Sequence, residues 1–147
     1  MRMTLKALSL YVLVIVFVGC AIHQRVEPVP RLGSREICIV NNPKVREGFL
    51  AAYQGALTAK GLRPKVLDPS ALPDACPLTS TYTANWRWDL RLYMAFADIT
   101  VYSNGKKVGQ AVYDSLGGGG SFNKFINAEE KIKELVEQLF PNMGPQG

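Results

Sequence analysis

The sequence predicts a two-layer α/β domain: a mixed sheet of about five strands in the order β-α-β-β-β-β-α, with two helices mainly on one face. Three observations predict it. Two segments carry apolar residues at helical spacing between capping and stop signals. Residues 79–102 run for twenty-four positions without Gly or Pro and are rich in Thr, Tyr, Trp and Ile. Ser103-Asn104-Gly105-Lys106 is a strong hairpin signal, because Asn and Gly accept the positive φ angles of a type I′ turn.

Ahead of the domain, Arg2 and Lys6 precede an apolar stretch at 7–18 interrupted only by Ser9. A membrane span needs about 20 apolar residues, so this run is too short and reads as a secretion signal over residues 1–19. It ends Phe17-Val18-Gly19-Cys20, where small Gly19 admits a signal peptidase and Cys20 supplies the thiol for a diacylglycerol thioether. Phe17 stands where lipoprotein signals usually carry Leu. The competing reading is a plain anchor or an ordinary cleaved signal. The mature chain is expected to begin at a palmitate-bearing Cys20. Ala21 follows it, where an Asp would resemble an inner-membrane retention signal, and the expected address is therefore the periplasmic face of the outer membrane. Residues 20–35, with Pro28, Pro30 and Gly33, read as lipidated Cys and tether, residues 36–140 as the single domain and 141–147 as a disordered tail.

The first strand is expected over 36–41, and Asn42-Pro43 then reads as an N-cap with proline in the first helical turn. Val45, Phe49, Ala52, Tyr53, Ala56 and Leu57 recur on one helical face, and Gly61 stops the helix. The next strand, 63–68, ends at Pro69, so the unit predicts two parallel strands joined by a crossover. The run at 79–102 would extend roughly 80 Å at about 3.3 Å per residue, against some 35 Å for the domain, so it must reverse. Asp89-Leu90-Arg91 is the expected place. The Asn104-Gly105 turn predicts the pairs Val101–Val108, Ile99–Gln110 and Ala97–Val112 on one face. Tyr102–Lys107, Asp98–Ala111 and Phe96–Tyr113 fall on the other. Asn127 caps the last helix with Glu130 placed to reach back, and Ile132, Leu135, Val136, Leu139 and Phe140 form its apolar stripe before Pro141.

The formal charge of +5 falls by two once Arg2 and Lys6 leave with the signal, too little to call for nucleic acid. Acylation of Cys20 leaves Cys38 and Cys76, an even pair in an oxidising compartment. A disulfide between them is expected, at about 3 to 4 kcal/mol, against Cys38 as a small buried hydrophobe. No Cys-x-x-Cys is present, and His23, the one histidine, lies in the expected tether, so no metal site or cofactor is expected. Asp98 and Asp114 read as out of register and on opposite faces, which disfavours a carboxylate pair. With no nucleophile and base in view, no enzyme activity is expected. Residues 117–120 are four glycines, whose amides suit an anion, but the spacing fits neither a P-loop nor a dinucleotide fingerprint. The default is a flexible connection with Phe122, Phe125 and Ile126 tucked under the sheet.

Tyr82, Ala84, Trp86 and Trp88 alternate with Thr81, Thr83, Asn85, Arg87 and Asp89. Such aromatics either fill the core or form a binding hot spot. The segments Ile37-Cys38-Ile39-Val40, Val45-Arg46-Glu47-Gly48-Phe49, TSTYTANWRWDL at 79–90 and AEEKIKEL at 128–135 resemble an uncharacterised family of small proteobacterial lipoproteins. The resemblance implies a lipoprotein and a fold, and brings no activity and no residue role. The expected function is a non-catalytic envelope interaction module held to the membrane by its lipid. Phe96, Asp98, Tyr102, Lys107 and Tyr113 form its candidate face for an envelope protein partner. The alternative is a small-molecule or lipid binding lipoprotein, which needs a cavity between sheet and helices.

Overall fold

The computed structural model describes residues 22–118 and 122–144. Residues 1–21, with the expected signal and Cys20, and residues 119–121 and 145–147 lie outside them. The fold is the expected two-layer α/β arrangement, with six strands in place of five. The strands are β1 (His23–Glu27), β2 (Glu36–Val40), β3 (Arg63–Leu67), β4 (Leu78–Asp89), β5 (Arg91–Ser103) and β6 (Lys106–Asp114). The helices are α1 (Phe49–Ala59) and α2 (Ala128–Leu139), with a short 3-10 turn at Phe122–Phe125 before α2. The sheet order is β1-β6-β5-β4-β2-β3, parallel where β2 meets β3 and β4 and antiparallel elsewhere.

The sixth strand is a correction to the expected tether. Residues 23–27 pair with β6, and the following Val29 is buried, its amide donating to the Leu139 carbonyl at 2.7 Å. The physical reason is that β6 would otherwise present a bare ladder edge, and β1 covers it. The tail also departs from expectation. Met143 is buried against the core and Gly144 accepts a hydrogen bond from Arg35 Nη1 at 3.0 Å.

The first helix begins later than Asn42. The Asn42 side chain accepts from the Lys44 amide at 3.1 Å and donates to the Tyr82 carbonyl at 3.0 Å, so it pins a turn instead of capping a helix. Gly48, at φ 98°, then lets the chain swing into α1. The end of α1 is as read. Leu62 donates to Leu57 and Gly61 to Thr58, the two bonds of a Schellman motif, with Gly61 left-handed at φ 74°. Asn127 caps α2 by accepting from the Glu129 amide at 2.8 Å.

Both reversals fall where expected. Leu90 takes φ 62° between β4 and β5, and Asn104 and Gly105 take 48° and 78° between β5 and β6. The core lies between the helices and one sheet face. Ile37, Ile39, Tyr82, Ala84, Ala97, Ile99, Val101, Ala111 and Tyr113 meet Phe49, Tyr53, Leu57, Ile132, Leu135, Val136 and Leu139 there. The Tyr53 hydroxyl meets the Ser80 hydroxyl at 2.6 Å inside this core. Burial pushes the Tyr53 phenol far above its ordinary value, and the Ser80 hydrogen bond opposes that only in part.

Candidate interaction surface

The expected partner face stands or falls on the register of β5 and β6. Next to the turn it is as read, with Ser103 opposite Lys106 and Tyr102 opposite Lys107. A β-bulge then intervenes, and Val101 pairs with Gly109, Ile99 with Ala111 and Ala97 with Tyr113. Every later residue of β6 therefore changes face. Tyr113 leaves the candidate face for the core, where it is 1 % exposed. The signal was Gly109 itself, since a glycine inside a strand often marks a bulge or a close backbone approach. A Cβ at Gly109 would sit 2.5 Å from Val29 Cγ2 and 3.0 Å from the Glu27 carbonyl, because β1 and its continuation cross tightly over it.

Phe96, Asp98, Tyr102 and Lys107 stay together on the face turned from the helices, joined by Thr100, Gln110 and Val112. Here the polar groups form a connected row across three strands. The Asp98 carboxylate accepts from Gln110 Nε2 at 3.0 and 2.9 Å and from the Thr100 hydroxyl at 3.1 Å. Lys107 Nζ donates to Gln110 Oε1 at 2.6 Å and reaches Glu27 Oε2 at 2.9 Å. That bond, and the charge behind it, hold the Glu27 carboxyl below its ordinary value. The bulge also corrects the aspartates. Asp98 and Asp114 share this face, yet Asp114 accepts from the Leu116 amide at 2.8 Å while Asp98 is held by Gln110 and Thr100, so they make no shared-proton pair. Near the other side of the sheet, a disulfide joins Cys38 to Cys76 with Cα atoms 6.2 Å apart, laying the 69–78 loop over β2. The same loop brings Asp74 against Gly105, at the turn end of the face.

The two tryptophans divide. Trp86 is half-buried and meets Phe49 edge-on at 6.4 Å, as an extension of the stack in which Phe49 lies 5.0 Å from Tyr82. Trp88, one ladder step pair farther out, is 75 % exposed. Phe122 is exposed too and does not tuck under the sheet, while Ile126 packs against the core. The Phe125 side chain lies outside the described residues. Asp89 is held by Lys124 Nζ.

Along α1 a face of small residues, Ala51, Ala52, Gly55, Ala56 and Ala59, forms with Ile132, Lys133 and Trp86 a groove of about 700 Å³. It is open to solvent and lies beside the helices; the space between helices and sheet is filled by Tyr53, Leu57 and Ile99, each fully buried. Among the described residues no group of three His, Cys, Asp or Glu side chains is placed to hold a metal ion, and no helix is long and apolar enough to cross a membrane.

No family model and no curated protein matches the sequence. Solved structures do match the fold. A PelC dodecamer from Paraburkholderia phytofirmans superposes with a TM-score of 0.56 at 13% identity, over 80% of this chain and 98% of that one. A single-substitution variant of the PelC dodecamer gives 0.55 at 14%, over 86% and 100%. A minor lipoprotein from Acinetobacter baumannii gives 0.41 at 13%, over 80% and 99%. At these identities the chain shares a fold with PelC.

Proposed function

We propose that this protein is an envelope lipoprotein, acylated at Cys20 on the periplasmic side of the outer membrane, that works as a non-catalytic interaction module. The observation that carries the reading is the helix-free sheet face. Its Asp98, Thr100, Lys107 and Gln110 are preorganised by their own hydrogen bonds beside Phe96 and Tyr102, and aromatic area beside fixed charge is the composition of a protein-binding patch. A filled core supports a partner over a small ligand. The PelC structures are dodecamers, so a second copy of this chain is the first partner to test.

A photo-reactive residue in place of Phe96 should capture an envelope protein or a second copy in intact cells, while the same group in place of Gln54 on α1 should not. Equal capture at both positions, or none at Phe96, refutes the face. Palmitate labelling that survives Cys20→Ser refutes the anchor. A homo-oligomer should appear as a multiple of the protomer mass in light scattering of the detergent-solubilised protein.

A further inference from the structure

Five of the seven large hydrophobic side chains exposed among the described residues gather at one end of the molecule: Trp88, Leu90, Leu92, Leu116 and Phe122. The register explains why. His23, Asp114, Phe96 and Asn85 form one row across β1, β6, β5 and β4. Beyond that row only the β4–β5 hairpin continues, from Trp86 to its turn at Leu90. At about 3.3 Å per residue those five positions carry the tip roughly 15 Å past the sheet. Trp88 pairs with Leu92 on one side of the ribbon, with Leu90 at its apex. No described element covers them, unlike Trp86 and Met94 behind them.

The same end is where the chain leaves toward its N-terminus. Cys20 is three residues before His23, the first residue of β1, so chain length alone keeps its backbone within about 10 Å of that end of the row just described. The start of β1, from which Cys20 is reached, and the hairpin tip are therefore at the same end of the sheet. The tip is basic as well as apolar: Arg87 and Arg91 flank Asp89, whose charge is met by Lys124.

We propose that the β4–β5 tip, Trp88, Leu90 and Leu92 with Leu116 and Phe122 beside it, seats in the lipid surface that holds the acylated Cys20. This rests on reading Cys20 as the acylated N-terminus. Tryptophan and leucine at the headgroup level give a second membrane contact beside the acyl chains, and Arg87 meets anionic headgroups. Two contacts fix the orientation of the domain, where acyl chains alone would leave it free to swivel.

The test uses mature acylated protein in vesicles of phosphatidylethanolamine and phosphatidylglycerol whose acyl chains carry bromine. Tryptophan emission should be strongly quenched in the wild type and in Trp86→Phe, and little quenched in Trp88→Phe. Arg87→Ser should lower the ratio of seated to withdrawn tip about fivefold. Vesicle-bound, acylated protein whose Trp88 is unquenched overturns the proposal and hands the tip to a protein partner. The mass of the N-terminal peptide from the same sample reports acylation separately. An unmodified Cys20 overturns the anchor itself.

Discussion

At Gly109 a single methyl group would crowd the close approach of β1 to β6, since its Cβ would collide with Val29 and the Glu27 carbonyl. Gly109→Ala is expected to cost about 1–3 kcal/mol, read as a lower urea midpoint. Tyr113 gives the opposite expectation. Its ring is in the core, with Lys131 Nζ 4.9 Å from its centroid, but its hydroxyl has no hydrogen-bond partner among the described residues. Tyr113→Phe should leave stability unchanged or raise it, whereas Tyr113→Ser should lose about 3–5 kcal/mol. A costly Tyr113→Phe would show that the hydroxyl is bonded after all. Glu134 contributes acid sensitivity. Burial raises its carboxyl, but the hydrogen bond from Lys131, those from Gln24 and Gln138 and the Lys131 charge outweigh that, and the net direction is below the ordinary 4.5. Its contribution is therefore present above about pH 4.5 and is lost as the pH falls through the lower folded value. Glu134→Gln should flatten the acid limb of a stability-against-pH curve and leave its slope near neutrality unchanged.

At the scale of elements, the β5–β6 hairpin and the disulfide hold the 69–78 loop at Asp74 and at Cys76. Gly105 takes φ 78° with Asp74 Cβ 3.2 Å from where its own Cβ would lie, so Gly105→Ala should cost about 1–2 kcal/mol through strain and crowding together. The disulfide closes a separation of 38 residues, and replacing both cysteines by Ser should cost about 4 kcal/mol in the chain-entropy model. Thermal unfolding of the reduced and oxidised protein checks the second figure. The register of β5 on β6 was legible only for its first two pairs. A turn sets where a ladder starts, and an extra residue anywhere along it resets every later pair.

For the whole molecule, the proposed membrane contact and the proposed partner surface are different parts of the sheet, the β4–β5 tip and the helix-free face. α1 and α2 occupy the opposite face, linked near their ends by Lys60 Nζ and Glu137 at 3.1 Å. On these proposals the tip sets how the domain stands, and the open face sets what it meets. Substitutions at Phe96 or Tyr102 should thus change partner capture with little change in stability, because these side chains are half-exposed.

Local chemistry alone determined the α/β class, the parallel β2–β3 unit, the Schellman end of α1, the cap of α2 and both hairpin turns. Each depends on residues within a few positions of one another, such as Gly61 after Lys60 or Gly105 after Asn104. Tertiary structure decided what those residues could not carry. Ile22 and Val26 alternate with His23, Arg25 and Glu27, yet two apolar side chains are too weak a pattern to announce a strand until β6 offers an edge to pair with. Asn42 looks like a helix cap until Tyr82, forty residues on, claims its side chain. Trp86 and Trp88 are equivalent in the sequence pattern, and only the reach of the helices separates them. Phe49 covers the first, and the second lies beyond the end of the layer.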